Sequence, residues 1–342
     1  KIEEDGFTIN RKVELLLSSD TNAATSKSMG LGMIGFSSAF EELQPDLIVV
    51  LGDRFEIFSA VVTAMMQKFP IAHIHGGEVT QGAIDDALRH SITKMSNLHF
   101  CATADYRRRI IQLGENSKDV HLVGGIGLDF IKNVDVLSRD EIEKRLDFKL
   151  LDQNVLITYH PETLSNLDSK EQIDELLIAL SDFKHLGLIF TMPNADSGGR
   201  VITEVIKKFI DSNSNARLYD ALGQQLYLSC IASFDGVVGN SSSGILEVPS
   251  FKKGTLNIGS RQEGRDLADS VVSCALERGD IKKGLDRLLS DNFQKTIQNT
   301  VNPYDHGGAS DKIIKILQSI DFSDIKPKIF VDHKLTEIDK LL

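Results

Sequence analysis

The apolar positions of this chain fall into short, mostly unalternated runs, and the stretches between them have helical spacing. DLIVVLGD, Asp46–Asp53, reads as a strand buried on both faces, and the preceding SSAFEELQ reads as a helix. FEIFSAVVTAMMQ then has helical spacing, and FPIAHIHG is a second short strand whose polar residues gather at its end. IDDALRHSITKMS continues as helix, NLHFCAT as strand, YRRRIIQLGE as helix and DVHLVGG as strand. Strand and helix in alternation predict a mostly parallel sheet covered by helices.

A charged, helix-rich and less regular stretch from about Asp135 to Gln153 precedes a second series of the same kind. NVLITYH, GLIFTMPN, ARLYDAL, FDGVVGN and TLNIG read as strands; EQIDELLIALSDF, RVITEVIKKFI and GQQLYLSCIA read as helices. The late SDKIIKILQSI reads as a helix able to pack back across the first series. The expected class is α/β, with two Rossmann-like domains over residues 1–150 and 151–318 and an extension over 319–342. Open sheets of this kind bind ligands outside the carboxyl ends of their strands, so the strand exits are where chemistry is sought.

Composition narrows the partners. The chain has 342 residues, is 41% hydrophobic and carries a formal net charge of -11, which opposes binding to a nucleic-acid backbone or an anionic membrane. No apolar run approaches the roughly eighteen residues of a membrane span, and no signal peptide is visible, so a cytoplasmic protein is expected. Cys101, Cys230 and Cys274 lie far apart without CxxC spacing and read as core residues of a reducing compartment. The opening KIEEDGF has no initiator methionine and does not read as the first strand of an α/β domain. GLGMIG, Gly30–Gly35, fits the dinucleotide pattern GxGxxG but follows a polar stretch rather than a strand. It reads as close helix contact or a loop, and no NAD or other cofactor is expected.

Polar clusters sit at the strand exits. Asp53 and Arg54 end the first strand, where an acid meets either a ligand or the amides of the next helix. His73 and His75 are two apart, which in an extended strand points both to one face; with Glu78 they offer zinc-type ligands. No HExxH accompanies them, so a metal-free acid/base or hydrogen-bonding site is expected, with His73 also readable as a packed core histidine. Gly76 and Gly77 predict a tight exit with close backbone approach or unusual dihedrals. Asp85 and Asp86 open the next helix, and Arg89 is spaced to pair with Asp85.

In the second series His160 ends a strand, placed either as a satisfied loop histidine or as a donor to a leaving phosphate. VVGNSSSGILEV delivers Gly239, Asn240, Ser241, Ser242 and Ser243 to a helix start, where amides and hydroxyls suit a phosphate. The Walker ending GKS or GKT is absent, so ATP hydrolysis is not implied. Glu247 sits one helical turn on, suited to ribose hydroxyls or to solvent, and Arg261 and Arg265 follow in GSRQEGR, suited to charge-assisted phosphate contacts.

Taken together, LGDRFE, HIHGGE, IDDALRHSITKM, ITYHPET, GNSSSGILEVPS and NIGSRQEGR resemble bacterial UDP-N-acetylglucosamine 2-epimerases of the hydrolysing, sialic-acid and capsule pathway type. The resemblance implies a glycosyltransferase-B-like pair of Rossmann domains with the site between them, commonly a homodimer. It implies conversion of UDP-N-acetylglucosamine and water to N-acetylmannosamine and UDP through 2-acetamidoglucal, without NAD or a metal. By motif match Asp53, Asp85 and His160, with His75 beside them, take the catalytic positions, and Ser241, Ser242, Glu247 and Arg261 the UDP-binding region. Arg54 and Glu78 are expected to bind substrate. Many relatives carry a glutamate where this chain has His75, so that residue cannot inherit a carboxylate's role unchanged. The family also opens with a strand and an arginine-bearing loop not found before Lys1, so an upstream segment is expected, which the mass of the native gene product would check. UDP-N,N'-diacetylbacillosamine is the alternative substrate, a non-hydrolysing epimerase is a further enzyme reading, and an inactive UDP-sugar-binding protein is the non-enzymatic one.

Overall fold

The unalternated apolar runs become parallel strands. The computed structural model describes residues 2–4, 6–19, 21–80, 84–132, 134–162, 167–194, 198–322, 325 and 328–332. β1 (Ile48–Leu51), β2 (Ile71–Ile74), β3 (Leu98–Cys101) and β4 (Val120–Leu122) lie side by side in that order, with Leu51 opposite Ile74 and His73 opposite His99. β2 and β3 are buried on both faces, whereas β1 alternates and exposes Val49 and Leu51. β5 (Gln153–Thr158), β6 (Leu186–Thr191), β7 (Ala216–Tyr219), β8 (Gly236–Gly239), β9 (Gly254–Ile258) and β10 (Val271–Cys274) form a second parallel sheet in the order β10-β9-β8-β5-β6-β7. The strand order reverses between β5 and β8, the kind of point where doubly wound sheets bind ligands.

The expected α/β class with two parallel-sheet units is what the chain forms. One unit comprises the residues up to Glu78, 85–123 and those from Asp311 on; the other comprises Val79–Ile84 and Gly124–Ser310. Sequence reasoning drew its boundaries at 150 and 318. In the structure Leu137, Ile142, Leu146, Phe148 and Leu150 pack with Leu156, Ile189 and Val237, which places the stretch before β5 with the second sheet. Val155 and Ile157 point to the opposite face, where Leu176, Leu180, Ile202 and Leu285 cover them, so period-two alternation gives this sheet two cores.

In the first unit, helix Asn22–Leu43 begins at Thr21, whose hydroxyl accepts from the Ala24 amide at 3.2 Å. It packs on helix Phe55–Met66: a methyl at Gly32 would lie 3.1 Å from Ser59 Cβ, and Ser59 Oγ donates to the Met29 carbonyl at 3.1 Å. GLGMIG therefore lies within a helix and makes its close helix contact at Gly32, and among the described residues no strand precedes it. The core beneath is Phe40, Ile48, Val50, Val61, Ala64, Ile71 and Ile92.

The chain re-enters this unit through helix Ala309–Ser319. Farther on, the Val331 amide donates to the Gly114 carbonyl at 2.9 Å and the Lys328 ammonium bonds the Ser96 carbonyl and Glu115. Glu115 also accepts from Lys94 at 2.6 Å and from His99 Nε2 at 3.1 Å. Burial pushes the Glu115 carboxyl up, but these donors outweigh it and hold the group down to about 2. Sequence reasoning passed over β10 and helices Arg278–Leu289 and Asp291–Thr296. Among the described residues no helix is long and apolar enough to cross a membrane.

Candidate functional site

In the first unit the polar residues gather where β1 and β2 end. Gly52, at a φ of +80°, turns the chain out of β1 and presents Asp53. Asp53 is ion-paired with Arg89, a buried residue of helix Asp85–Met95. This partner lies thirty-six positions from Arg89, because the crossover between parallel strands lays the helix beside the β1 exit. Arg54 makes two bonds to Glu56, at 3.2 and 3.1 Å.

The two histidines of HIHGGE part company. His73 is buried in β2; its Nε2 donates to the Gly52 carbonyl at 2.8 Å, which leaves Nδ1 to accept the Thr93 hydroxyl at 3.2 Å. Burial pushes its pKa down to about 3 despite the Gly52 bond, so it is a neutral core histidine. His75 has left the strand at a φ of +64° and its Nδ1 lies 2.5 Å from Glu78 Oε1. The strand alternation behind the expected shared face does not extend to His75, whose left-handed backbone lies beyond the end of β2. Both His73 nitrogens are engaged, and among the described residues no group of three metal-type ligands occurs.

The glycines behave as anticipated. A methyl at Gly76 would lie 2.9 Å from both His73 Nδ1 and Thr93 Oγ1, and one at Gly77, φ +79°, would meet the Tyr106 carbonyl at 2.5 Å. Arg109 donates to the Gly77 carbonyl and further fixes the turn. Asp85 begins its helix, and Asp86 lies 3.7 Å from His90 Nε2.

In the second unit His160 follows β5 and Asn240 follows β8, flanking the reversal of strand order. Asn240 is fully buried; its Oδ1 accepts the His160 amide at 2.7 Å and its Nδ2 donates to the His160 carbonyl at 2.8 Å. The Asn194 amide donates to His160 Nδ1 at 3.0 Å, so the ring is in the tautomer that carries its proton on Nε2. Glu162, buried, accepts from the Ser260 amide at 3.0 Å, the Ser260 hydroxyl at 3.1 Å and the Arg261 amide at 3.4 Å, holding the SRQEG turn. Arg261 Nη1 and Gln262 Nε2 both reach the Asn240 carbonyl, at 3.4 and 2.7 Å. Arg265 donates to Thr80 Oγ1 at 3.3 Å.

Ser241 and Ser242 lead into a helix of one turn, Ser243–Leu246, shorter than the anion-binding helix expected. Ser243 Oγ accepts the Tyr227 hydroxyl at 2.7 Å. Burial pushes the Glu247 carboxyl up, and a hydrogen bond from Ser243 pulls it part of the way back.

A family model described as UDP-N-acetylglucosamine 2-epimerase matches residues 1–318. The chain belongs to that family. It is 41% identical, over 96% of its length and 86% of the relative's, to a GDP/UDP-N,N'-diacetylbacillosamine 2-epimerase (hydrolyzing) of Campylobacter jejuni. It is 37% identical to the polysialic acid biosynthesis protein P7 of Escherichia coli, over 97% of the chain and 84% of that protein. The structure of the Methanocaldococcus jannaschii UDP-GlcNAc 2-epimerase in complex with UDP-GlcNAc and UDP superposes with a TM-score of 0.77 at 16% identity, covering 93% of this chain and 86% of that one. The chain thus has the two-Rossmann fold of glycosyltransferase-B-like type.

For this member of the UDP-N-acetylglucosamine 2-epimerase family, the first unit brings together Asp53, His75, Glu78 and the opening of helix Asp85–Met95 at adjoining strand exits. The second brings together His160, Asn240, Glu162 and Arg261. Sequence reasoning missed the tie from Arg89 to Asp53, the anchoring of His160 by Asn240 and the support of the Arg261 turn by Glu162. The only sequence signal for Glu162 is its place two residues after His160 at a strand exit.

Proposed function

We propose that the chain catalyses the hydrolytic 2-epimerisation of a UDP-linked 2-acetamido sugar, with UDP-N,N'-diacetylbacillosamine as substrate. The observation that carries this reading is the 41% identity over 96% of the chain to the Campylobacter jejuni enzyme named for that sugar. The sequence expectation led with UDP-N-acetylglucosamine. That substrate, giving N-acetylmannosamine, is the second reading, favoured by the 37% identity to a polysialic acid biosynthesis protein. Both sugars carry the 2-acetamido group and UDP, so one chemistry serves both.

A base removes the C2 proton; the electron pair forms the C1=C2 bond of a 2-acetamidoglycal, and the C1–O bond to UDP breaks. Water then supplies hydroxyl to C1, and a proton reaches C2 from the opposite face, which inverts that centre. Asp53, Asp85 and His75 are the proposed acid/base groups. His160 suits the departing diphosphate, since its proton on Nε2 can be donated to a phosphate oxygen. Arg261 with Ser241 and Ser242 supplies donors to the developing charge, and Glu247 takes the ribose. Arg54, bonded to Glu56, contributes charge near the β1 exit.

The test is sugar NMR in D₂O with each UDP-sugar offered separately. The expected result is UDP and a free 2-epimer deuterated at C2, formed faster from the bacillosamine derivative. Faster turnover of UDP-N-acetylglucosamine would select the second reading, and a UDP-linked epimer as stable product would reject the hydrolytic step.

A further inference from the structure

His75 combines two features that rarely coincide by accident. It is a non-glycine residue held at φ +64°, and its ring is fixed at 2.5 Å by the carboxylate of Glu78, itself buried. Backbone strain of this kind persists only where surroundings over-determine it, and here they do. The His75 amide donates to the Phe100 carbonyl at 2.9 Å, Gly77 and Arg109 fix the turn behind it, and Glu78 fixes the ring. A carboxylate only accepts, so the Nδ1 facing it carries the proton, and the basic lone pair of the neutral ring is on Nε2. Asp53, one strand exit away, is committed to Arg89.

We propose that Glu78 is a positioning residue that holds His75 Nδ1–H, and that His75 Nε2 is the base that takes the C2 proton. This deepens the proposed reaction and rests on it. The step balances: the C2–H pair becomes the C1=C2 bond, the C1–O pair leaves with UDP, and the proton converts His75 to an imidazolium facing the Glu78 carboxylate. The second proton then comes from a different group on the other sugar face, a role the proposed reaction leaves to Asp85. Glu78 thereby moves from the substrate-binding role expected of it to one that acts through His75. Neutral His73 lies behind the dyad, Arg109 is on the Gly77 side, and the Asp53–Arg89 ion pair sits at the adjoining strand exit.

The experiment uses the full chain with Glu78→Gln and Glu78→Asp, followed by kcat and KM and by ¹⁵N NMR of the His75 ring. Glu78→Gln is expected to lower kcat by about 10²-fold or more with KM within twofold, and to reduce the share of the Nδ1–H tautomer, because a carboxylate is the stronger acceptor. Glu78→Asp should recover part of kcat and of that tautomer. Wild-type kcat in Glu78→Gln, or a loss confined to KM with the tautomer unchanged, overturns the dyad. If the wild-type chain turns over neither UDP-sugar, the functional reading fails, and the NMR spectrum still decides the dyad. The same His75 tautomer balance in wild type and Glu78→Gln overturns it.

Discussion

A side chain held left-handed at a strand exit is sensitive to shape in a way a surface histidine is not. Asparagine tolerates that conformation and a β-branched residue does not. His75→Asn keeps that backbone but takes the ring away from the buried Glu78 carboxylate, so it is expected to cost about 1–3 kcal/mol while removing at least about 10² of turnover. His75→Val should cost about 1–3 kcal/mol of stability more, from the strained φ. Equal stability of the two variants would mean that the backbone at His75 relaxes freely. The HxH pair was legible as chemistry but not as geometry, because the sequence spacing says nothing of where the strand stops. Arg89 shows the same limit: helical spacing points only to Asp85, whereas the pair with Asp53 is brought in by the crossover.

At the level of elements, strands were the most legible part, since parallel strands buried on both faces leave unbroken apolar runs. The exceptions have physical reasons. β10 is short and turns Ser273 outward, and most of helix Asn22–Leu43 is hidden by its polar first turns and by its glycines, of which Gly32 packs closely on Ser59. The second-unit site depends on one element gripping another: Asn240 after β8 holds His160 after β5 by both an acceptor and a donor. Asn240→Asp keeps the acceptor but sets a carboxylate oxygen against the His160 carbonyl. A loss of about 1–3 kcal/mol is expected, together with a drop in kcat that exceeds the change in UDP affinity measured by calorimetry. Unchanged kcat would show that His160 keeps its place without β8.

Across the whole molecule, acid should act first on the unit built around β1 to β4. His73 has its pKa pushed down to about 3 by burial, so the unfolded chain binds the extra proton. Its contribution is complete above about pH 6.5 and shrinks as pH falls towards 3, up to about 4–5 kcal/mol in all. Glu115, held down to about 2, adds stability that is full above about pH 4.5 and lost as pH falls through 2. Burial pushes its partner Lys328 down, so the net gain of that ion pair is only about 1–2 kcal/mol. The chain has no tryptophan, so one introduced into each unit reports each separately. The first-unit signal is expected to fall earlier between pH 6 and 4, and His73→Gln should flatten that limb; coincident transitions in wild type would reject the order. The same unit is assembled from chain on both sides of Gly124–Ser310. At roughly 5–20 residues per second, a ribosome takes about 10–40 s to make that intervening stretch. The half of the molecule that is started first is therefore finished last. A nascent chain spends those seconds with β1 to β4 already made but their unit still waiting for helix Ala309–Ser319 and Lys328, an interval in which its unfinished core is a natural target for chaperones.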